Sequence, residues 1–269
     1  MKTIAHISDL HFGAEDPEVI PGLRKDISRI NPSLIVVSGD LTQRARRREF
    51  KAAKGFLSTL PGPQLIVPGN HDIPLYDVVR RFFSPLRRFR SYITEDLCPA
   101  YMDEEMVVFG LNTARSLTWK SGRLSRSQIE ELGGALVAQK PSLFKVVVTH
   151  HPFIPPPEDR GAGIDLVGRA SLAMKVLERG RVDLMLAGHL HHGYTGDART
   201  FYPSGQRSIV VAQAGTALSH RVRGEPNTYN LITLEKNHIR IVMRIWNRVE
   251  FMEHKSTSYR MKNGKWEVE

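Results

Sequence analysis

Short runs of branched aliphatic residues recur along the 269-residue chain, and stretches with helical periodicity separate them. Residues such as Val36-Val37 and Val146-Val147-Val148 show no polar alternation, which is typical of strands buried on both faces. Alternation of buried strands with helices predicts an α/β layered fold. The predicted strands are residues 3–8, 34–38, 65–67, 107–111, 145–149, 182–187 and 208–212.

Helix boundaries are marked by proline and glycine. The helices are predicted at residues 19–30, 43–60, 125–139 and 170–179. In the last quarter, residues 229–234 and 238–246 predict an antiparallel hairpin. No linker interrupts the pattern, so we expect one domain over residues 1–254 and a weakly patterned, mobile tail over 255–269.

Composition narrows the class of protein. The single cysteine, Cys98, excludes an intrachain disulfide and a cysteine-based zinc site. The N-terminus lacks a signal-peptide pattern, and no run approaches the ~18 apolar residues that a membrane span needs. We therefore expect a cytoplasmic protein without a membrane span, and we predict no particular oligomeric state. The net charge of +10 favours an anionic partner, including nucleic acid, although a solvated basic surface explains it equally well.

Five short polar motifs follow predicted strands. In an open α/β sheet, ligands bind beyond the carboxyl ends of the strands, so these motifs should converge at one edge. Any one of them could be an ordinary turn, but five in succession indicate a common site. Their His, Asp and Asn side chains suit Mn, Fe or Zn, and a two-metal centre needs about seven such ligands. The motifs are Asp9-Leu10-His11, Gly39-Asp40, Gly69-Asn70-His71-Asp72, His150-His151 and Gly188-His189-Leu190-His191.

These motifs resemble those of the calcineurin-like metallophosphoesterases over roughly residues 3–220. Gly39-Asp40-Leu41-Thr42 and His150-His151-Pro152 are most similar to the bacterial class III cyclic-nucleotide phosphodiesterases. The resemblance implies a four-layer αββα sandwich with two divalent metal ions at the carboxyl ends of the strands. It further implies a first metal on Asp9, His11 and His191, a second on Asn70, His150 and His189, and Asp40 as the bridging ligand.

The expected reaction follows from charge. Two cations neutralise the oxygens of an anionic phosphoester and lower the pKa of a bridging water towards ~7, and the resulting hydroxide attacks phosphorus in line. His71, directly after Asn70, is the expected proton donor to the leaving alkoxide. Asp72 is expected either to hold the His71 ring or to cap the turn.

Arginines follow two of the motifs, interleaved with aromatic residues. Arg44, Arg87 and Arg88 are candidates for substrate binding, although a solvated helix face is an equal alternative. Other histidines near the motifs have open roles, as core, pocket or surface residues. They are His6, His151, His192 and His220.

The sequence therefore predicts a metal-dependent phosphoric ester hydrolase. A phosphodiesterase acting on a small anionic phosphoester is favoured, with a cyclic nucleotide as the first substrate to test. The alternatives are a nuclease on single-stranded nucleic acid or a pyrophosphatase on a nucleotide-linked lipid. A non-catalytic binding scaffold is the least favoured hypothesis, because such a protein should lack some of the ligands.

Overall fold

Two mixed β-sheets lie face to face, and helices cover the outer surface of each. A computed structural model describes residues 1–157, 163–164, 166–203, 205, 207–222 and 224–269. Its strands are, in chain order, β1 (Lys2–Ile7), β2 (Leu34–Ser38), β3 (Gln64–Val67), β4 (Ala100–Met102), β5 (Met106–Gly110), β6 (Phe144–Val148), β7 (Leu184–Ala187), β8 (Tyr194–Asp197), β9 (Val210–Gln213), β10 (Thr228–Glu235), β11 (His238–Trp246), β12 (Phe251–Lys262) and β13 (Lys265–Val268).

The helices alternate with the strands over most of the chain. They are α1 (Val19–Ile30), α2 (Arg47–Leu57), α3 (Val78–Phe83), α4 (Arg87–Tyr92), α5 (Arg126–Val137) and α6 (Ala170–Arg179). Two 3₁₀ turns, Asn70–Asp72 and Ala198–Thr200, complete the described helical elements.

The parallel strands lie side by side within each sheet. The first sheet has the order β13-β12-β11-β10-β1-β2-β3, in which β1, β2 and β3 are parallel. The second has the order β4-β5-β6-β7-β9-β8, in which β5, β6, β7 and β9 are parallel. The five polar motifs lie in the loops at the carboxyl ends of β1, β2, β3, β6 and β7.

The central parallel strands of each sheet are buried on both faces. Val36 and Val148 pack in the core between the sheets. The adjacent Val37 points the other way, into the core under α1, α2 and α4, and Val147 lies in the core under α5 and α6. Successive strand residues point to opposite faces, so a strand buried on both sides needs an unbroken apolar run. The predicted αββα sandwich is confirmed.

Helix α2 is shorter than the sequence predicts. It begins at Arg47 instead of residue 43, because residues before it form a loop held by the Glu49 side chain. One Glu49 carboxylate oxygen accepts the backbone N–H groups of Arg44 and Arg46 at 2.8 and 3.1 Å. At α5, the N-cap predicted at Ser125 is present, since its hydroxyl accepts the Gln128 N–H at 3.0 Å.

The expectation of a mobile tail over residues 255–269 is wrong. These residues continue β12, which pairs with β11, and form β13. Tyr259 and Trp266 are buried in the core between the sheets, and the Trp266 ring stacks on Phe144 at 6.0 Å between centroids. These two large side chains attach residues 255–269, which are otherwise mostly polar, to that core. A domain boundary at residue 254 would divide β12.

A buried ion pair joins α1 to the first sheet. The Asp26 carboxylate accepts hydrogen bonds from Nε and Nη2 of Arg244, at 2.6 and 2.9 Å, and from the Tyr229 hydroxyl at 2.5 Å. Burial alone would raise the pKa of Asp26, but these hydrogen bonds outweigh it and lower the pKa below its usual range.

Within the described residues, no helix has the length and apolar character needed to cross a membrane.

Candidate metal centre

The polar motifs converge where the parallel strands end. Seven side chains were predicted as metal ligands, and five of them have a positive φ. These are Asp9 (53°), His11 (46°), Asp40 (52°), His189 (77°) and His191 (58°). Left-handed backbone costs non-glycine residues energy and is concentrated at functional sites. The loops therefore hold these side chains in positions that ordinary turns would not favour.

Asp9, His11 and His191 form the first ligand group. Oδ1 of Asp9 lies 3.3 Å from Nε2 of His191 and 3.5 Å from Nε2 of His11. This oxygen is fully buried and has no hydrogen-bond partner among the described residues. Nδ1 of His191 donates to the Arg221 carbonyl at 2.5 Å, which leaves the lone pair of Nε2 facing Asp9. A buried carboxylate oxygen that faces the lone pair of an imidazole is the donor arrangement that a cation completes.

The three residues predicted to hold the second ion, Asn70, His150 and His189, come together around the His150 ring. Nδ1 of His150 donates to the Ser38 carbonyl at 2.7 Å, so its Nε2 carries the lone pair in the neutral ring. That Nε2 lies 3.1 Å from Oδ1 of Asn70. The His189 ring packs against His150 at 5.1 Å between centroids. Two facing electron-rich atoms repel each other unless a proton or a metal ion lies between them.

Asp40 spans the two groups. Its Oδ1 lies 3.4 Å from Nε2 of His150, and its Oδ2 lies 3.7 Å from Nε2 of His11. The backbone N–H of His71 donates to Oδ1 at 2.8 Å and fixes the carboxylate. One oxygen thus faces each half of the cluster, which is the placement that a bridging ligand requires.

Electrostatics favour a cation at this cluster. Burial would raise the pKa of Asp9 and Asp40, but the imidazoles around them outweigh it and hold both pKa values below the usual range. Burial lowers the pKa of His150, yet the Asp40 carboxylate outweighs that effect and raises it to about 9. Burial and the charge of His150 lower the pKa of His189 to about 3. The ionised carboxylates thus stabilise positive charge at the cluster, which a divalent ion would supply in place of the proton on His150.

Two glycines allow the loops to approach one another. A Cβ at Gly69 would overlap the Asp40 carboxylate, and one at Gly188 would overlap the Ser8 hydroxyl next to Asp9. Because Gly69 and Gly188 have no side chain, the backbone at these positions can pack directly against Asp40 and Ser8.

His71 lies beside the cluster, but Asp72 does not contact its ring. Nδ1 of His71 donates to the Gln43 carbonyl at 2.9 Å, and Nε2 faces Arg221. The Asp72 carboxylate instead accepts the backbone N–H groups of Leu41, Thr42 and Gly69 and the Thr42 hydroxyl, at 2.9–3.2 Å. Asp72 ties two site loops together, as a turn cap does, and the predicted support of the His71 ring is wrong. Burial and the Asp40 charge raise the pKa of Asp72 to about 7.

Arg221 is a site residue that the sequence analysis missed. Its Nη1 lies 3.0 Å from Nε2 of His71, 3.4 Å from Oε1 of Gln43 and 3.5 Å from Nδ1 of His11. It follows His220, whose role was left open. His220 itself is mostly exposed, 3.4 Å from Asp16. The sequence contained one indication of this role: Arg221 is a basic residue in the loop that follows β9, and β9 is parallel to β7, whose carboxyl end leads to His189 and His191.

The remaining open histidines have structural partners. His6 is buried with Nε2 2.9 Å from the Ser38 hydroxyl. The His151 ring nitrogens lie 2.7 Å from the Thr113 hydroxyl and 2.9 Å from the Lys120 carbonyl. Nδ1 of His192 lies 2.7 Å from Glu225. These contacts place His6 and His151 in supporting positions next to the ligands.

The three candidate substrate arginines have partners outside the predicted ligand set. Arg44 lies over the Tyr76 ring at 5.3 Å. Arg88 donates to the Ala45 carbonyl at 2.7 Å, and Arg87 is exposed on α4. Both α4 arginines line a groove whose described lining contains none of the seven predicted ligands. Their contact with substrate stays a prediction.

Known proteins share this sequence pattern and fold. Residues 2–193 match the family model of the calcineurin-like phosphoesterases. A probable cyclic nucleotide phosphodiesterase from Vesicomyosocius okutanii is 23% identical over 85% of this chain and 93% of its own length. The glycerophosphodiester phosphodiesterase GpdQ of Enterobacter lignolyticus is 36% identical, but the match covers only 26% of this chain and 29% of that relative.

A solved structure agrees with the fold. The purple acid phosphatase PPD1 from yellow lupin (Lupinus luteus) seeds superposes with a TM-score of 0.70 at 12% identity, over 96% of this chain and 53% of that chain. At this identity the likeness shows the fold alone. The family match confirms the predicted enzyme class, a metal-dependent phosphoester hydrolase, at the level of the family: the chain belongs to the calcineurin-like phosphoesterases.

Proposed function

We propose that this protein hydrolyses a small phosphodiester at a pair of divalent metal ions, and that a cyclic nucleotide is the first substrate to test. The observation that carries this proposal is the position of Asp40, with one carboxylate oxygen facing His150 and the other facing His11. A single-metal site would not need a carboxylate shared between two groups of ligands.

The residues present fit two ions. Asp9, His11 and His191 would hold the first ion, Asn70, His150 and His189 the second, and Asp40 both. When bound, such ions neutralise phosphoryl oxygens and activate water as the nucleophile. Mn, Fe and Zn all accept this set of imidazole, carboxylate and amide ligands.

Arg221 supplies a positive charge beside the ligands. Its guanidinium has several N–H donors, and Nη1 points at a space shared by His71, His11 and Gln43. A phosphodiester carries one negative charge, which a guanidinium can bind through two parallel hydrogen bonds. We assign Arg221 to binding a phosphoryl oxygen and orienting the ester.

His71 donates the proton that the leaving alkoxide needs. In this structure Nδ1 is the protonated nitrogen and Nε2 accepts from Arg221. Donation from Nε2 therefore requires a doubly protonated ring and a guanidinium that has turned to the substrate. The Gln43 carbonyl keeps the ring oriented while Nε2 changes partner. Binding of the substrate phosphate by Arg221 thus releases the atom of His71 that transfers the proton.

The names of the relatives favour a diester over a monoester. Two of them are named phosphodiesterases, for cyclic nucleotides and for glycerophosphodiesters. The test is a substrate panel on metal-reconstituted protein: cyclic AMP, a single-stranded oligonucleotide and a UDP-linked lipid. Cyclic AMP hydrolysis well above that of the Asp40→Ala variant supports the proposal. Turnover of only the oligonucleotide or the lipid would assign the alternatives, and no bound metal would favour a scaffold.

A further inference from the structure

Helix α3 exposes almost all of its side chains. The exposed fraction is 58% for Val78, 69% for Val79, 49% for Phe82 and 87% for Phe83. Arg81, at 2%, is the helix residue that is buried. Aliphatic and aromatic side chains exposed together on one short element mark a surface that contacts an apolar partner.

Arg81 fixes α3 to a second exposed segment. Its guanidinium donates to the carbonyls of Pro74, Ser116 and Thr118 at 2.8–3.1 Å and lies over the Trp119 ring at 4.5 Å. The segment it holds exposes Leu117 by 83% and Trp119 by 59%. We call the combined face the α3 surface; it consists of Val78, Val79, Phe82, Phe83, Leu117 and Trp119.

A basic groove adjoins this surface. The cavity between α2, α3 and α4 measures about 380 Å³ and is lined by four arginines, Arg47, Arg80, Arg87 and Arg88, which we call the arginine groove. Its described lining includes no acidic side chain. Asp77 at the start of α3 pairs with Arg80, which leaves the groove with a net positive charge.

The arginines of the groove repel one another. Burial lowers the pKa of Arg88, and the charges of Arg80 and Arg47 lower it further, while Asp77 acts in the opposite direction. The Arg88 guanidinium is also held in place by the Ala45 carbonyl. A bound anion would relieve this repulsion, and guanidinium groups bind phosphate oxygens through paired hydrogen bonds.

We propose that the α3 surface and the arginine groove dock this protein on an anionic phospholipid membrane. The apolar side chains would enter the boundary between headgroups and acyl chains, and the arginines would bind lipid phosphates, as in other interfacial elements. Charge complementarity identifies the partner, since an apolar face rimmed by arginines matches an anionic lipid surface. Nucleic acid is less favoured: bases could stack on Phe82, Phe83 and Trp119, but the aliphatic half of the surface, Val78, Val79 and Leu117, offers them no ring.

The test is flotation of the full-length protein with vesicles of phosphatidylcholine alone or mixed with phosphatidylglycerol. The protein should bind only the anionic vesicles. The double variant Val79→Ser/Phe83→Ser should weaken binding by at least about tenfold. Arg47→Gln and Arg80→Gln should each weaken it by about fivefold, and added salt should do the same. Val137→Ser on α5, where the side chain is 72% exposed, is the matched control and should bind normally.

Several results would overturn this proposal. Absence of binding to anionic vesicles would do so, as would equal binding to both vesicle types. Full binding by the double variant would also contradict it. Tight binding of an oligonucleotide that the same arginine variants abolish, without vesicle binding, would assign the groove to nucleic acid. A dimer that the Val79→Ser/Phe83→Ser variant dissociates would assign the α3 surface to a second copy of the chain.

Discussion

Nη1 of Arg221 lies 3.0 Å from Nε2 of His71. Arginine stays protonated, so Nε2 of His71 must be the acceptor, and Nδ1 is the nitrogen that donates to the Gln43 carbonyl. Nε2, the nitrogen through which His71 is expected to donate a proton, therefore already accepts a hydrogen bond from Arg221. If Arg221 binds the substrate phosphate and His71 donates the proton, as proposed, the two steps are coupled through this one hydrogen bond.

Replacing Arg221 by Gln should lower kcat/KM for a phosphodiester by about 10²–10³-fold, the usual effect of losing one charged donor to a developing anion. Metal content should change little, because the Arg221 backbone carbonyl holds the ring of His191, and its side chain reaches the other ligand, His11, only at 3.5 Å. Arg221→Lys keeps the charge and should recover part of the loss. Kinetics with metal analysis check this; an unchanged kcat/KM in Arg221→Gln would exclude Arg221 from substrate binding.

His71→Ala should distinguish good from poor leaving groups. A ribose alkoxide needs a proton to leave, whereas p-nitrophenolate does not, so the variant should lose about 10²–10⁴-fold on an alkyl ester and clearly less on a p-nitrophenyl ester. Both metal ions should remain bound. Equal losses on the two esters would indicate that His71 positions the phosphoryl group, and loss of a metal ion would make His71 a ligand.

Asp40→Ala should lose metal at both positions, because its two oxygens face different ligand groups. His191→Ala should weaken mainly the ion next to Asp9. Metal per chain is measured by mass spectrometry after dialysis, with the exposed His220→Ala variant as the histidine control. Two ions per chain and normal turnover in Asp40→Ala would disprove the bridging assignment.

Local patterns in the sequence were sufficient to predict an α/β layered fold and five polar motifs that meet at one edge, whereas the four-layer arrangement and the ligand roles came from the family resemblance, and the ligand roles stay predictions. A buried strand such as β2 has an unbroken apolar run because Val36 and Val37 pack into cores on opposite faces of the sheet. The polar motif Gly39-Asp40 then marks the end of this strand. Arg221 was missed because its contact with His71 joins loops 150 residues apart, with no periodicity between them. Of the two roles expected for Asp72, support of the neighbouring His71 ring is not seen, because its hydrogen bonds reach Leu41 and Thr42 on another loop.

Asp26→Asn should destabilise the fold, since it leaves the buried Arg244 without a counter-charge. Breaking a buried pair costs about 3–5 kcal/mol, whereas Glu253→Gln, which removes the exposed pair with Arg240, should cost less than about 1 kcal/mol.

The stability that Asp26 contributes should depend on pH. Because the folded state lowers the pKa of Asp26, this stabilisation is present above the unfolded pKa of about 3.9 and is lost as the pH falls below it. Urea unfolding at a series of pH values measures this. The difference in unfolding free energy between the wild type and Asp26→Asn should shrink as the solution is acidified below about pH 4. A difference that stays constant to the lowest pH would show that the Asp26 charge does not stabilise the contact between α1 and the sheet.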